Sequence, residues 1–570
     1  MKIKFTNIII TINIENCFLL KKISQKYYRM CGIWAVFGIK LPSQEDIKRC
    51  VEKIHNRGPE FMKIQSFGSS VLGFTRLAIN GLTEKGHQPL ISDDIAVVCN
   101  GEIYNYKEIA ERWSIPLPEG SSDCEILPAL LRKLGPTEVC RALDGVFAFV
   151  AIDQKEQTIT VARDPYGVRP LFMGKGNGFQ VFSSEIKALT PICDSIEIFP
   201  PGSWYRFALP QDNQTEVNMS AYGYHQIPWI KNPICDDQTT SQIILRTAFE
   251  KAVHKRLMSD RPIGALLSGG LDSSLVCGVA AKYLKTKGKK LSTFSIGMPG
   301  STDLLYAKKV ADKIDSVHHE ITLTQEDFFK AIPEVIRAAE TYDITSVRAS
   351  VGNWLIGKYI KENTDIKVVF NGDGSDEIGG GYLYFYRAPS DEEFEAESAR
   401  LLKDIYAFDV LRSDRSMADH GLEARTPFLD KQLVATWCSL PTIFRRPNKD
   451  SNQVEKFILR KAFDDSNLLP YDILWRKKEA FSDGVSATEE PWHAKIDAWA
   501  KINNPTFEEE LASAKETYPH NTPKTAEALY YRKIFESLYG KKSVNIIPYM
   551  WMPRWSPETT DPSARTLSLY

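Results

Sequence analysis

The sequence predicts two fused domains: an α+β layered sandwich, followed by an α/β domain built on a doubly wound parallel sheet. Three observations carry this. From Cys31 to about residue 210, short β-branched and aromatic runs are broken by turn signals; from about Thr239 the rhythm becomes helix, strand, helix, strand; and 570 residues suit two to four domains rather than one. The expected organisation is an extension over 1–30, a first domain over 31–210, a linker over 211–238, a second domain over 239–555 and a tail over 556–570.

The first domain is read from strand candidates at Ser70–Leu77, Ile95–Cys99, Val146–Ile152, Thr158–Ala162 and Gln180–Ser183, with helices near Gln44–Ile54 and Asp123–Leu134. Ser122-Asp123 supplies capping chemistry before the second helix. The stretch from Pro210 to Gln238 is polar and poorly patterned, hence a linker. Beyond it Ile243–Lys255 has helical periodicity. Ile263–Leu267, Leu291–Ile296 and Ile366–Phe370 are short buried strands, separated by helix candidates at Ser274–Leu284, Gln325–Glu340 and Val351–Glu362. Such alternation is the pattern of a parallel sheet with helices on both faces.

Bulk properties exclude several classes. A net charge of −1 with 25 % charged and 43 % hydrophobic residues advertises neither nucleic-acid binding nor disorder. No apolar run approaches the roughly 18 residues of a membrane span. The ten cysteines include no Cys-x-x-Cys pair, which fits a reducing, cytoplasmic setting. The nine histidines are scattered, and adjacent His318 and His319 point to opposite faces of a strand, so a histidine metal site is not expected. Residues 1–29 carry Lys2, Lys4, Lys21, Lys22, Lys26 and Arg29 against Glu15 alone, without a secretory core or cleavage site. The expectation is that they lie outside the mature chain, untranslated or removed.

Ser268-Gly269-Gly270-Leu271-Asp272-Ser273-Ser274 sits between a buried strand and a helix. Glycines there let backbone amides approach phosphate oxygens, helped by the helix N-terminus; the serines add hydroxyls, and Asp272 suits Mg²⁺. There is no Gly-Lys-Ser/Thr ending. A capped Gly-rich turn reads the same over three residues, but seven in this order behind a strand favour a phosphate site. Asn371-Gly372-Asp373-Gly374-Ser375-Asp376-Glu377 follows the next buried strand, where open α/β sheets bind ligands. Its three carboxylates repel one another unless a cation or ammonium group shares the site, or unless they form a solvated turn.

Cys31 heads Cys31-Gly32-Ile33-Trp34 directly after Met30. A thiolate nucleophile needs a base, and removing Met30 would make the cysteine's own α-amine that base. Most cysteines in apolar surroundings are simply buried. Asn100-Gly101 is a hairpin signal that can also offer an oxyanion hole from the Asn100 amide and the Gly101 N–H. Arg76, opening Arg76-Leu77-Ala78-Ile79-Asn80, is a bidentate carboxylate binder after a strand. Asp123 can pair with an amino group or merely cap a helix.

Together these motifs, with His55-Asn56-Arg57-Gly58-Pro59, Arg163-Asp164-Pro165, Thr341-Tyr342-Asp343, Glu423-Ala424-Arg425 and Lys478-Glu479-Ala480, resemble the glutamine-hydrolysing asparagine synthetases from residue 31 to about 560. The resemblance implies a glutaminase fused to a pyrophosphate-loop synthetase. It would make asparagine from aspartate, ATP and glutamine through a β-aspartyl-adenylate, releasing AMP and pyrophosphate. Carried over, Cys31 is the nucleophile; Arg76, Leu77, Ala78, Ile79, Asn80, Glu102 and Asp123 bind glutamine; Asn100 and Gly101 hold the oxyanion. Leu266, Ser268, Gly269, Gly270, Asp272, Ser273, Ser274, Ile296, Asn371 and Gly372 surround ATP. Asp272 and Asp376 bind Mg²⁺, Thr345 and Arg348 bind aspartate, Lys478 stabilises phosphate charge and Asp373 acts as base. The resemblance further implies an internal ammonia channel and a homodimer, with no nucleic-acid or membrane partner. Asn371 and Asp373 stand where the family usually has Ser and Glu, so Asp373 reaches one methylene less. A related amidotransferase acting on another carboxylate, and a catalytically silent binding relative, are the alternative readings.

Overall fold

The computed structural model describes residues 31–209, 219–228, 233–487, 491–563 and 566–567; the extension before Cys31 lies outside them. The first half is a sandwich of two six-stranded sheets, and all the pairings described for them are antiparallel. Strand Gly32–Gly38 lies inside the first sheet, between Phe179–Ser183 and Ser70–Arg76. All its residues are buried, because both of its faces are covered. Ile33, Ala35 and Phe37 enter the core between the sheets with Leu72, Phe74, Val98 and Val150. Trp34 and Val36 face the other way, onto Ile47, Val51 and Ile54 of helix Gln44–Lys53 or just beyond it. Side chains alternate across a strand, so burial on both faces gives a continuous apolar run. Ser43 caps that helix, accepting from the Asp46 amide at 3.1 Å.

The expected Asp123–Leu134 helix is split, with a 3₁₀ turn at Asp123–Ile126 before Leu127–Leu134. Within the stretch read as a linker, Met219–Gly223 pairs antiparallel with Ser203–Ala208 at the sheet edge. All five residues are exposed, so no apolar alternation betrayed a strand there.

The second half carries a five-stranded parallel sheet in the order Val317–Thr322, Ser292–Gly297, Ile263–Leu266, Val368–Phe370, Glu423–Arg425. From Ile263–Leu266 the chain winds outward to one side, then returns to start the other side at Val368–Phe370. The strand order reverses between these two, and ligands bind at the carboxyl ends of such a switch point. Both loops singled out in the sequence emerge there. Among the described residues no helix is long and apolar enough to cross a membrane.

Candidate active site

Two sites are assembled, one in each half. In the first, Cys31 heads the buried Gly32–Gly38 strand. Its Sγ lies 3.4 Å from both the Leu77 amide and the Leu77 carbonyl. Burial pushes the thiol up to about 12, against the Leu77 hydrogen bond and the Arg76 charge, which pull it down. A resting thiol of this kind needs a base before it can attack. Arg57, fully buried, donates from Nε to the Cys31 carbonyl at 2.9 Å and fixes the backbone at Cys31.

Strand Ile95–Ile103 brings Asn100, Gly101 and Glu102 alongside. Gln88 clamps the preceding residue, accepting from the Cys99 amide at 2.6 Å and donating to the Cys99 carbonyl at 3.1 Å. The buried Asn100 Nδ2 has no hydrogen-bond partner among the described residues. An unpaired buried donor is costly, so its retention fits an oxyanion that arrives with substrate. Gly101 is required by the neighbouring strand: a Cβ there would lie 2.4 Å from the Val146 carbonyl oxygen.

Asn80 Nδ2 donates to Glu102 at 2.5 Å, and the Ile103 amide donates to Asp123 at 2.7 Å. Arg76 closes the loop by donating to the carbonyls of Gly81 and Thr83, the latter at 2.6 Å. Burial raises Asp123 to about 6 and lifts Glu102 well above an ordinary carboxyl; Asp123 and Glu423 add to the latter, and Arg425 opposes it. Two buried carboxyls raised in this way by burial gain from an arriving ammonium group, which favours their charged forms.

In the second half, a cleft of about 170 Å³ is lined by Leu266, Ser268, Gly270, Asp272, Ser273, Ile296, Asn371, Gly372, Asp373, Asp376, Thr345 and Lys478, among others. Helix Leu271–Thr286 starts earlier than expected, so the last residues of the Ser268–Ser274 loop form its first turn. Two expected contacts do not reach the cleft. Gly269 turns away at φ +73°, where a Cβ would strike the Ala307 backbone nitrogen at 2.4 Å; Ser274 is buried beneath the loop. Ser268 and Ser273 join hydroxyl to hydroxyl at 3.0 Å.

Asp272 and Asp376 both turn to one ammonium group that sequence reasoning missed. Lys456 Nζ lies 2.6 Å from Asp272 and 2.5 Å from Asp376, whose other oxygen meets Lys478 at 2.5 Å. These cations hold the Asp376 carboxyl far below its ordinary range despite burial, and Lys478 is raised in return by Asp376 and Asp272. Two carboxylates within reach of one Nζ define a cation position made of hard oxygen donors. That fits Mg²⁺ shared with phosphate oxygens and water. No signal marked Lys456, which lies outside every loop placed after a strand.

Asp373 spans Arg412 and Asn371, at 2.8 Å each. The buried Thr345 hydroxyl, on the cleft wall, has no hydrogen-bond partner among the described residues. Arg348 lines an adjoining cavity of about 60 Å³, whose wall Thr345 and Lys478 share. Its guanidinium is held by Glu527 and Asp561, with Nη1 2.8 Å from Asp561 and Nε 2.8 Å from Glu527.

The remaining motif residues meet where the halves join. Buried Arg57 pairs with Glu185 and Asp414, Arg169 with Asp414 and Glu423, and Arg425 with Glu423 and, at 3.5 Å, Glu102. The sequence marked Arg57, Glu423 and Arg425 only as motif members; apart from the local Glu423–Arg425 pair, their partners are more than a hundred residues distant.

A family model described as Glutamine amidotransferase domain matches residues 30–206, and one described as Asparagine synthase matches 244–400 and 388–559. The glutamine-hydrolysing asparagine synthetase of Gallus gallus is 43% identical over 571 residues, covering 95% of this chain and 99% of that protein. The enzymes of Cricetulus griseus and Homo sapiens are 43% and 42% identical, with the same coverage.

Proposed function

The chain belongs to the glutamine-hydrolysing asparagine synthetases, and from that premise we propose how its two sites divide the reaction. The enzyme makes asparagine from aspartate, with ATP as the energy source and glutamine as the nitrogen source. The observation that carries the division of labour is a strand-head thiol and a buried amide without a partner among the described residues in one half, with a separate cleft lined by the Ser268 loop in the other.

In the first site the Cys31 sulfur attacks the side-chain carbonyl of glutamine, and the Asn100 amide receives the oxyanion. Ammonia leaves, and water releases glutamate from the thioester. The base is the α-amine of a chain that begins at Cys31, so a mature N-terminus at Cys31 is the result expected from mass spectrometry of the protein from its own source. Arg76 faces glutamine's carboxylate; Glu102 and Asp123 face its ammonium group.

In the cleft, a β-carboxylate oxygen of aspartate attacks the α-phosphorus of ATP and pyrophosphate leaves. Ammonia then adds to the acyl carbon, Asp373 takes the proton, and AMP departs. Lys478 balances phosphate charge. Asp272 and Asp376 would hold Mg²⁺, which supplies charge neutralisation on the phosphates when bound. Thr345 contacts aspartate. A cytoplasmic location, supported by cysteine usage without a disulfide framework, and a homodimer, implied by the family alone, complete the proposal.

Pyrophosphate release should depend on aspartate. Release that is indifferent to aspartate but driven by another carboxylate would redirect the reading to a related amidotransferase. The raised carboxyl of Asp123 adds a pH dependence. Binding glutamine's ammonium needs the carboxylate, which is lost as pH falls through about 6. The α-amine base, with an ordinary value of about 7.7–8.0, already gives log kcat/KM a slope of about one below that range. Below pH about 6 the slope should steepen to about two, and Asp123→Asn should return it to one. A single slope in both proteins would remove Asp123 from the ammonium site.

A further inference from the structure

We infer that the Ser259–Arg261 segment of the synthetase half is a positioning element for the glutamine loop of the other half. The inference rests on the reading of Arg76–Asn80 as the residues that hold glutamine. From Leu77 to Gly81 the chain has left its strand and has no ladder pairing, so its backbone groups need partners from elsewhere.

One side of the loop is tied to its own domain, through Leu77 to Cys31, Asn80 to Glu102 and the Gly81 carbonyl to Arg76. The other side is held by residues 179 and 183 positions further along. The Asp260 amide donates to the Ile79 carbonyl at 3.1 Å, and the Gly81 amide donates to the Asp260 carboxylate at 2.9 Å. Arg261 Nε donates to the Ala78 carbonyl at 2.9 Å. Arg261 Nη2 reaches Glu60 at 2.8 Å, and the other Glu60 oxygen accepts from the Ala78 amide at 2.6 Å.

Directly after this clamp, the Pro262 carbonyl accepts from the Lys367 amide at 3.2 Å and the chain enters the Ile263–Leu266 strand, which carries the phosphate loop. The strand that sets the phosphate loop therefore also sets the loop against which the nucleophile rests. Ser259–Arg261 touches neither the thiol nor the ATP cleft, so its effect falls on glutamine recognition alone.

The test compares two nitrogen sources in the full enzyme. In Arg261→Ala, KM for glutamine should rise roughly tenfold, the scale of one or two lost hydrogen bonds. Synthesis from free ammonia, KM for ATP and the thermal midpoint should stay at wild-type values. Asp260→Ala should raise KM for glutamine in the same way, and Asp260→Asn, which keeps an oxygen to accept from Gly81, should restore it. Unchanged KM for glutamine in both alanine variants overturns the inference, as does an equal loss with ammonia, which would mean a general structural role. Failure of the wild-type enzyme to hydrolyse glutamine would instead overturn the reading of the loop, and the inference with it.

Discussion

Cys31→Ala abolishes asparagine formation from glutamine, by about 10⁴-fold or more, and leaves formation from ammonia at the wild-type rate. Removing the nucleophile of a covalent mechanism costs about this much, because the remaining oxyanion donor and binding groups have nothing to stabilise. The second half of the expectation is structural. The Cys31 sulfur contacts Leu77, whereas the ATP cleft is built from different strands and does not include Cys31. One preparation assayed with each nitrogen source checks both halves. Residual glutamine use near wild type would remove Cys31 from the chemistry, and equal loss with both sources would mean that the substitution disturbs the fold.

The next largest effect is expected at Lys456. Lys456→Gln should lower aspartate-dependent pyrophosphate release by about 10²–10³-fold, the usual scale for losing one preorganised charge at a phosphoryl centre. Glutamine hydrolysis should persist. The side chain is 2% exposed and bridges Asp272 and Asp376, so its removal leaves Asp272 without that countercharge while Asp376 keeps Lys478. Breaking a buried pair by removing one partner costs about 3–5 kcal/mol, and the thermal midpoint should fall in the absence of ligands. A divalent cation competes with Lys456 for the same oxygens, so Mn²⁺ titrated into the ATP-free protein should bind more tightly in the variant. Weaker Mn²⁺ binding in Lys456→Gln would show that the lysine does not occupy the cation position.

The two fold classes and the phosphate loop were legible because each rests on local pattern. The Ser268 loop announced itself by glycine and serine spacing behind a buried strand, and the parallel sheet by its alternation with helices. What stayed hidden depends on distant partners. Lys456 has no local signature: its meaning comes from two carboxylates 184 and 80 residues earlier that share its Nζ. Arg348, expected at the acceptor side, lines a cavity with Thr345, and Glu527 and Asp561, which hold its guanidinium, are both far from it along the chain. Ser274 was misplaced by one helical turn, because helix Leu271–Thr286 starts inside the motif. The strand Met219–Gly223 was missed because an exposed edge strand need not alternate.

Chain ends ordinarily fray, and their amides exchange with solvent first. The strand headed by Cys31, the chain's first in the proposed mature form, is instead an interior strand, hydrogen-bonded on both sides and covered on both faces. Its amides therefore exchange only when the sandwich opens as a whole. On the proposed mechanism, a condition that opens the first sheet therefore also removes the setting of Cys31, and glutamine use is expected to be lost with it.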